Sequence, residues 1–98
     1  MTGYKILREG VLAELIIPET IAYVVGPDGV CRSPAAYVSR LTGLFGPVTE
    51  ALSIRLPAVS YRLHQIVRAD GFDAEPSRDG IGIHWFRTEQ EARNYAGL

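Results

Sequence analysis

The chain has 98 residues, a formal net charge of −1, 47% hydrophobic residues and 21% charged residues. That length and balance fit one domain, residues 1–98, with a modest core, and the charge argues against general nucleic-acid binding, which needs a basic excess. A single cysteine excludes an internal disulfide framework and a cysteine-rich zinc site.

Tyr4 to Arg8 and Val11 to Ile17 read as two strands joined by a tight turn at Glu9-Gly10. The second is apolar except for Glu14, which is expected to face water, the alternative being burial with a partner. Leu12 to Ile17 is too short to span a membrane, and no apolar signal core lies near Met1. With the lone cysteine, this sets the expectation of a cytoplasmic protein with no membrane contact. Ile21 to Val25 is another apolar run. Gly26-Pro27-Asp28-Gly29 after it is the strongest turn signal in the chain, and it predicts a hairpin returning through Val30 to Arg32. Ser33-Pro34 then fits an N-cap and first helical position. It predicts a short second helix through Ala35, Ala36, Tyr37, Val38, Leu41 and Leu44. Gly43 to Gly46 ends that element.

Val48 to Leu56 fits a short helix or a strand, and the polar–apolar alternation of Ser53-Ile54-Arg55-Leu56 favours a strand closed by Pro57. Ser60 to Arg68 predicts one continuous strand, with Tyr61, Leu63, Gln65 and Val67 on one face and Arg62, His64, Ile66 and Arg68 on the other. Ala69 to Asp79 is polar and acidic and reads as a surface loop of solvated charge. Ile81 to Phe86 is a β-branched and aromatic run with glycines at 80 and 82, which imply a bend or a close backbone approach. Alternation puts Ile81, Ile83 and Trp85 on one face and His84 and Phe86 on the other, with Gly82 leaving an open spot beside His84. Thr88 and Glu91 form a capping box, the cap alone contributing about 1 kcal/mol. Ala92, Tyr95 and Ala96 can face inward, and Gly97 ends the helix. The fold class is therefore α+β: about five or six mostly antiparallel strands with a C-terminal helix packed on one face.

The order Gly-Ile-His-aromatic-Phe, one residue, Thr, two residues, Glu-Ala, two residues, Tyr runs from Gly82 to Tyr95. It resembles the end of an uncharacterised domain of phages and bacteria that is often attached to pentapeptide-repeat proteins. Tyr4-Lys5, Cys31-Arg32 and Tyr61-Arg62 are similar to earlier parts of that domain, and Val11 to Pro18 resembles its second strand. In place of 34–44 as a helix, the resemblance implies an extended segment. Two departures stand out. Ser77-Arg78-Asp79 lies where members often carry a cysteine, and Leu63-His64 stands where they often place a glycine after Tyr-Arg. The resemblance implies no defined biochemical activity.

His64 and His84 lie on strands expected in one sheet, so both are expected near Arg62 and Arg87 on a common surface. Arginines there would make bidentate contacts to phosphate, and Tyr61, Trp85 or Phe86 would stack on a base or ring. The plainer reading is that these are ordinary half-exposed sheet residues. Arg32 joins the basic set, and beside Cys31 it would favour a thiolate, although a lone cysteine is more often a small buried hydrophobe. No carboxylate or cysteine stands at a fixed short spacing from either histidine, so no metal site and no cofactor are expected.

Three functions fit. First is a non-catalytic binding protein that sequesters a small anionic, nucleotide-like ligand. With the phage resemblance, this implies a counter-defence role against a nucleotide-type immune signal, and a homo-oligomer with a pocket between subunits would suit it. Second is an interaction module that docks on and blocks a host or phage protein through a strand edge or the C-terminal helix. Third is a nucleotide-modifying enzyme, against which the short chain and the missing catalytic constellation count. Glu91 and Glu14 are the first acids to test for it.

Overall fold

The apolar run after Gly10 finds its partner in the chain's first residues. The computed structural model, which describes residues 1–74 and 81–98, pairs β1 (Thr2–Ile6) antiparallel with β2 (Leu12–Ile16) around a single 3₁₀ turn at Arg8–Gly10. Glu9 and Gly10 both take positive φ there, as the predicted tight turn requires. β2 is central, as its composition implied, with Ala13 and Leu15 fully buried. Glu14 is partly exposed and pairs with Arg40 at 3.3 Å.

The predicted second helix is instead the longest strand, β5 (Ala35–Gly43), which pairs antiparallel with β2. Its most deeply buried residues, Ala36, Val38 and Leu41, change spacing from two to three because the register shifts within it. Ser39 is the additional residue, and its hydroxyl donates to the Glu14 carbonyl at 2.9 Å. A bulge of this kind makes a strand imitate helical spacing. β5 also pairs with β6 (Gly46–Pro47) and β9 (Ile66–Arg68), completing a five-stranded sheet.

The Pro-Asp-Gly turn makes the predicted hairpin between β3 (Val24–Val25) and β4 (Cys31–Ser33). The Gly29 N–H donates to the Gly26 carbonyl, and the Asp28 carboxylate accepts from the Val30 N–H. β10 (Ile83–Trp85) adds to β4 in a second, three-stranded sheet. A third pairing joins β7 (Glu50–Leu52) to β8 (Ser60–Arg62). The strand predicted at 53–56 is therefore displaced to 50–52, and 53–59 is a loop.

The continuous strand predicted over 60–68 is broken. Gln65 N–H turns back to the Arg62 carbonyl, and His64 sits at φ 63°. Beyond that turn the chain leaves the β7–β8 pair and joins β5, so Arg62, His64, Ile66 and Arg68 no longer share one strand, although all four are exposed while Tyr61 and Val67 are buried, as the alternation predicts.

The helix α1 (Glu89–Ala96) has its predicted ends. The Thr88 hydroxyl accepts from the Glu91 N–H at 3.1 Å and donates to the Glu91 carboxylate at 3.0 Å, and Gly97 takes the left-handed C-cap. Ala92 is buried with Ile6, Leu12, Val30 and Phe86, where α1 packs against β1. Tyr95, expected to face inward, is exposed and rests its ring on Phe86 at 5.1 Å.

The main core surrounds Trp85, which has no exposed surface. Its indole N–H donates to the Ser33 hydroxyl at 3.1 Å, and that hydroxyl donates to the Ala35 carbonyl at 2.9 Å. The indole packs over Gly3, where an added Cβ would fall 2.6 Å from a ring carbon. Gly82 also sits at a close approach: an added Cβ would come within 3.3 Å of Arg32, Phe72 and the Ser33 carbonyl. The spot expected to be open beside His84 is thus packed. The predicted loop from 69 and the Ser77-Arg78-Asp79 departure fall partly or wholly at 75–80, outside the described residues. The protein is a mostly antiparallel α+β fold with a C-terminal helix.

Candidate functional site

Alternation along β1 sends Gly3 and Lys5 to one face and Tyr4 and Ile6 to the other. Tyr4 and Ile6 meet α1, while Gly3 meets Trp85. Lys5 therefore carries its charge over the aromatic wall. Its Nζ lies 5.8 Å from the centroid of the buried Tyr61 ring and donates to the His84 carbonyl at 2.9 Å. Burial, and secondarily the Arg55 guanidinium, lower the Lys5 pKa from 10.5 to about 8. The same burial pushes the Tyr61 hydroxyl well above its ordinary range.

Lys5, Arg55 and His84 line two adjoining clefts. The smaller, of about 280 Å³, runs between Ile54, Val30, Phe86 and the α1 residues Ala92, Tyr95 and Ala96. The larger, of about 570 Å³, lies under the 53–59 loop and adds Tyr61, Arg68 and Asp70. Together they bring four basic side chains and one acid to a partly apolar hollow, in the size range of small-molecule sites.

The loop that carries Arg55 is held by one buried serine. The Ser53 hydroxyl accepts from the Val59 N–H at 2.8 Å and donates to the Arg55 carbonyl at 3.0 Å. The Ser53 N–H donates to the Val59 carbonyl, and the Ser53 carbonyl accepts from Arg8 Nε at 2.8 Å. Both ends of the loop are thereby closed against β1's turn.

The residues singled out from the sequence divide. His84 and Phe86 line the smaller cleft, and Tyr61 with His84 the larger. Trp85 and Arg32 are enclosed in the interior, so neither presents a face for a ligand to stack on or pair with. His64 belongs to the turn before β9, and its ring stacks on Tyr37 with centroids 6.4 Å apart. It does not share a sheet with His84, because β9 joins the large sheet and β10 the small one. Arg62 is exposed on β8 and pairs with Glu50 at 3.4 Å. The Ser60 hydroxyl and then Arg62 hold the Glu50 carboxyl below its ordinary value.

Arg87, rather than Arg32, is the cation beside Cys31. Even so, burial outweighs it and the thiol is raised, with Glu91 adding to the rise. Cys31 is a free, fully buried cysteine and behaves as a small hydrophobe. Among the described residues, no group of three or more His, Cys, Asp and Glu could hold a metal ion. No described helix is long and apolar enough to cross a membrane.

Sequence reasoning passed over Lys5, Arg55 and Arg68. One signal was available: of the ten Lys and Arg residues, only position 5 is lysine. A strand-borne lysine flanked by inward-facing neighbours is a candidate for partial burial.

The fold and cleft define a small α+β domain with a basic, aromatic-lined hollow. The chain belongs to the family of unknown function DUF5758, whose profile matches residues 1–92. That span includes β1, the 53–59 loop, β10 and the first half of α1, and so most of the cleft. No curated protein and no solved structure matches the chain.

Proposed function

We propose that this chain is a non-catalytic binding protein that sequesters a small anionic, nucleotide-like ligand. The observation that carries the reading is the meeting of two clefts at Lys5, Arg55 and His84. An anionic group would seat there, with Arg55 and Arg68 offering planar guanidinium donors. A base or similar ring would lie along Phe86 and Tyr95 in the smaller cleft, since aromatic faces accept a ring at little conformational cost. The phage and pentapeptide-repeat associations drawn from the C-terminal motif give the ligand a setting, removal of a host signal as a counter-defence. A homo-oligomer would enclose the open side of the hollow.

Native mass spectrometry of protein purified from bacterial cells, repeated after denaturation, tests this reading. A small mass released by denaturation, retained by Arg62→Ala and lost from folded Arg55→Ala, is the expected result. Its absence, together with no binding across the common nucleotides, would sink the proposal.

A second reading has its own observation. Leu44 and Phe45 at the tip of the β5–β6 hairpin are exposed, Phe45 completely. An interaction module that blocks a host or phage protein would insert such a tip into a partner. Pull-downs that fail with Phe45→Ser but survive Arg55→Ala would favour this reading over ligand sequestration.

A further inference from the structure

We propose that Lys5 is a nucleophilic amine that captures a small anionic aldehyde reversibly, as an imine, inside the cleft. This deepens the sequestration reading and rests on it for the anionic part of the ligand.

The argument begins with residue choice. Nine of the ten Lys and Arg positions are arginine, and the one lysine stands at the junction of the two clefts. Arginine stays protonated in proteins, whereas a desolvated lysine gives up its proton readily. A position that needed only positive charge could have carried arginine like the rest. Lys5 instead meets both conditions that activate an amine, an apolar surround and a neighbouring cation.

The apolar surround comes from Ile6, Val30, Ile54 and Phe86 in the smaller cleft, and polar or aromatic groups face Lys5 from the other elements. Tyr61 on β8 lies beneath Nζ, His84 on β10 accepts its hydrogen bond through the carbonyl, and Arg55 approaches from the 53–59 loop. Arg68 and Asp70 line the larger cleft that Lys5 also faces. With its pKa lowered to about 8, roughly a tenth of Lys5 is free amine at pH 7, a useful fraction for attack on a carbonyl.

The step balances without an oxidant or a reductant. The Nζ lone pair attacks the carbonyl carbon, a C–N bond forms and the carbonyl oxygen takes a proton to give a carbinolamine. Loss of that hydroxyl with the second amine proton releases one water and leaves a C=N bond. Water reverses the step. Arg55 and Arg68 would hold the anionic group of the aldehyde, and Phe86 and Tyr95 its apolar body.

The test treats the intact chain with para-formylbenzoate, an anionic aromatic aldehyde, and separately with neutral benzaldehyde. Cyanoborohydride traps any imine, and peptide mass spectrometry locates it. The only other amine is at Met1, which serves as an internal reference. The proposal expects Lys5 to be labelled by both aldehydes, with labelling rising through about pH 8. The anion should reach half-labelling at a concentration about tenfold lower, roughly the 1.4 kcal/mol of one charge-assisted contact. Arg55→Met should move the pH midpoint upward in folded protein, and Lys5→Arg should abolish the label. Label confined to Met1, or Lys5 labelling that rises only near pH 10.5, the value of an ordinary lysine, would overturn the proposal. Equal labelling by both aldehydes would support the amine while removing the anionic-ligand reading. No label at Lys5 alongside measurable binding of inorganic phosphate would remove the amine and leave that reading standing.

Discussion

Gly3 and Lys5 stand two residues apart on the same face of β1, and the molecule does opposite things with them. At Gly3 the missing side chain lets the Trp85 indole pack onto backbone, and the space is filled. At Lys5 a long charged side chain holds the surface apart, and two clefts open around it. β10 runs beside both, sending Trp85 into the core and lending the His84 carbonyl to Lys5. The same pair of strands thus builds a wall that resists change and a hollow suited to a ligand. The difference comes from side-chain volume and charge at alternate positions, with no change of backbone element.

The comparison breaks first at the wall. Trp85→Ala should lose about 3–5 kcal/mol of stability, read from the urea midpoint, because it empties the centre of the core. Gly3→Ala should cost about 1–3 kcal/mol by overpacking the same contact. Either variant, where it folds, should keep its anion affinity, since neither residue lines the clefts.

Ser53→Ala strikes the hollow. It leaves the part-buried Val59 N–H without its hydroxyl acceptor, at a cost of about 1 kcal/mol. It also frees the loop that carries Arg55, so ligand affinity should fall with stability.

Lys5→Met sharpens the contrast through pH. The folded pKa of Lys5, about 8, lies below its ordinary 10.5, so between those values the unfolded chain binds more protons. Protonated Lys5 therefore destabilises the fold fully below about pH 8, and that penalty disappears as pH rises towards 10.5. Relative to Lys5→Met, the wild type should gain stability across that window, as urea titrations at successive pH values would show. A constant difference would mean that Lys5 is solvated like any surface lysine. The smallest effect should be that of Arg62→Ala. Its pair with Glu50 is solvent-exposed and screened, so its loss should barely move the urea midpoint and should leave ligand binding unchanged.

Elements defined by local chemistry were legible in the sequence. Thr88 and Glu91 mark the start of α1 and Gly97 its end, because a cap is a contact between near neighbours. Gly26-Pro27-Asp28-Gly29 likewise marks its own hairpin. Alternation from Ile83 to Phe86 was legible too, with Ile83 and Trp85 entering the main core and His84 reaching the clefts. Ile81, assigned to the same buried face, is exposed because the strand begins only at Ile83.

Features set by distant partners were not legible. The bulge at Ser39 exists only because β2 lies alongside, and it disguises β5 as a helix. The turn at His64 depends on β9 leaving β8 for β5, and nothing in Leu63-His64 announces a positive φ. The cleft depends on Ser53 closing a loop far from β1 in sequence, so Lys5 and Arg55 could not be paired by spacing. Of the sequence-derived patch, Tyr61, His84 and Phe86 line the clefts, whereas Arg62 pairs with Glu50, His64 stacks on Tyr37 and Trp85 and Arg32 are interior, and a different set of cations took their place.

The most direct test of the basic cleft is a titration of labelled protein with a panel of mono- and dinucleotides, followed through backbone amide chemical shifts. The account predicts saturable shifts gathered at Lys5, Arg55, His84 and Phe86, with Arg62 and His64 unmoved. Shifts centred on Arg62 and His64, or none with any nucleotide, would contradict it.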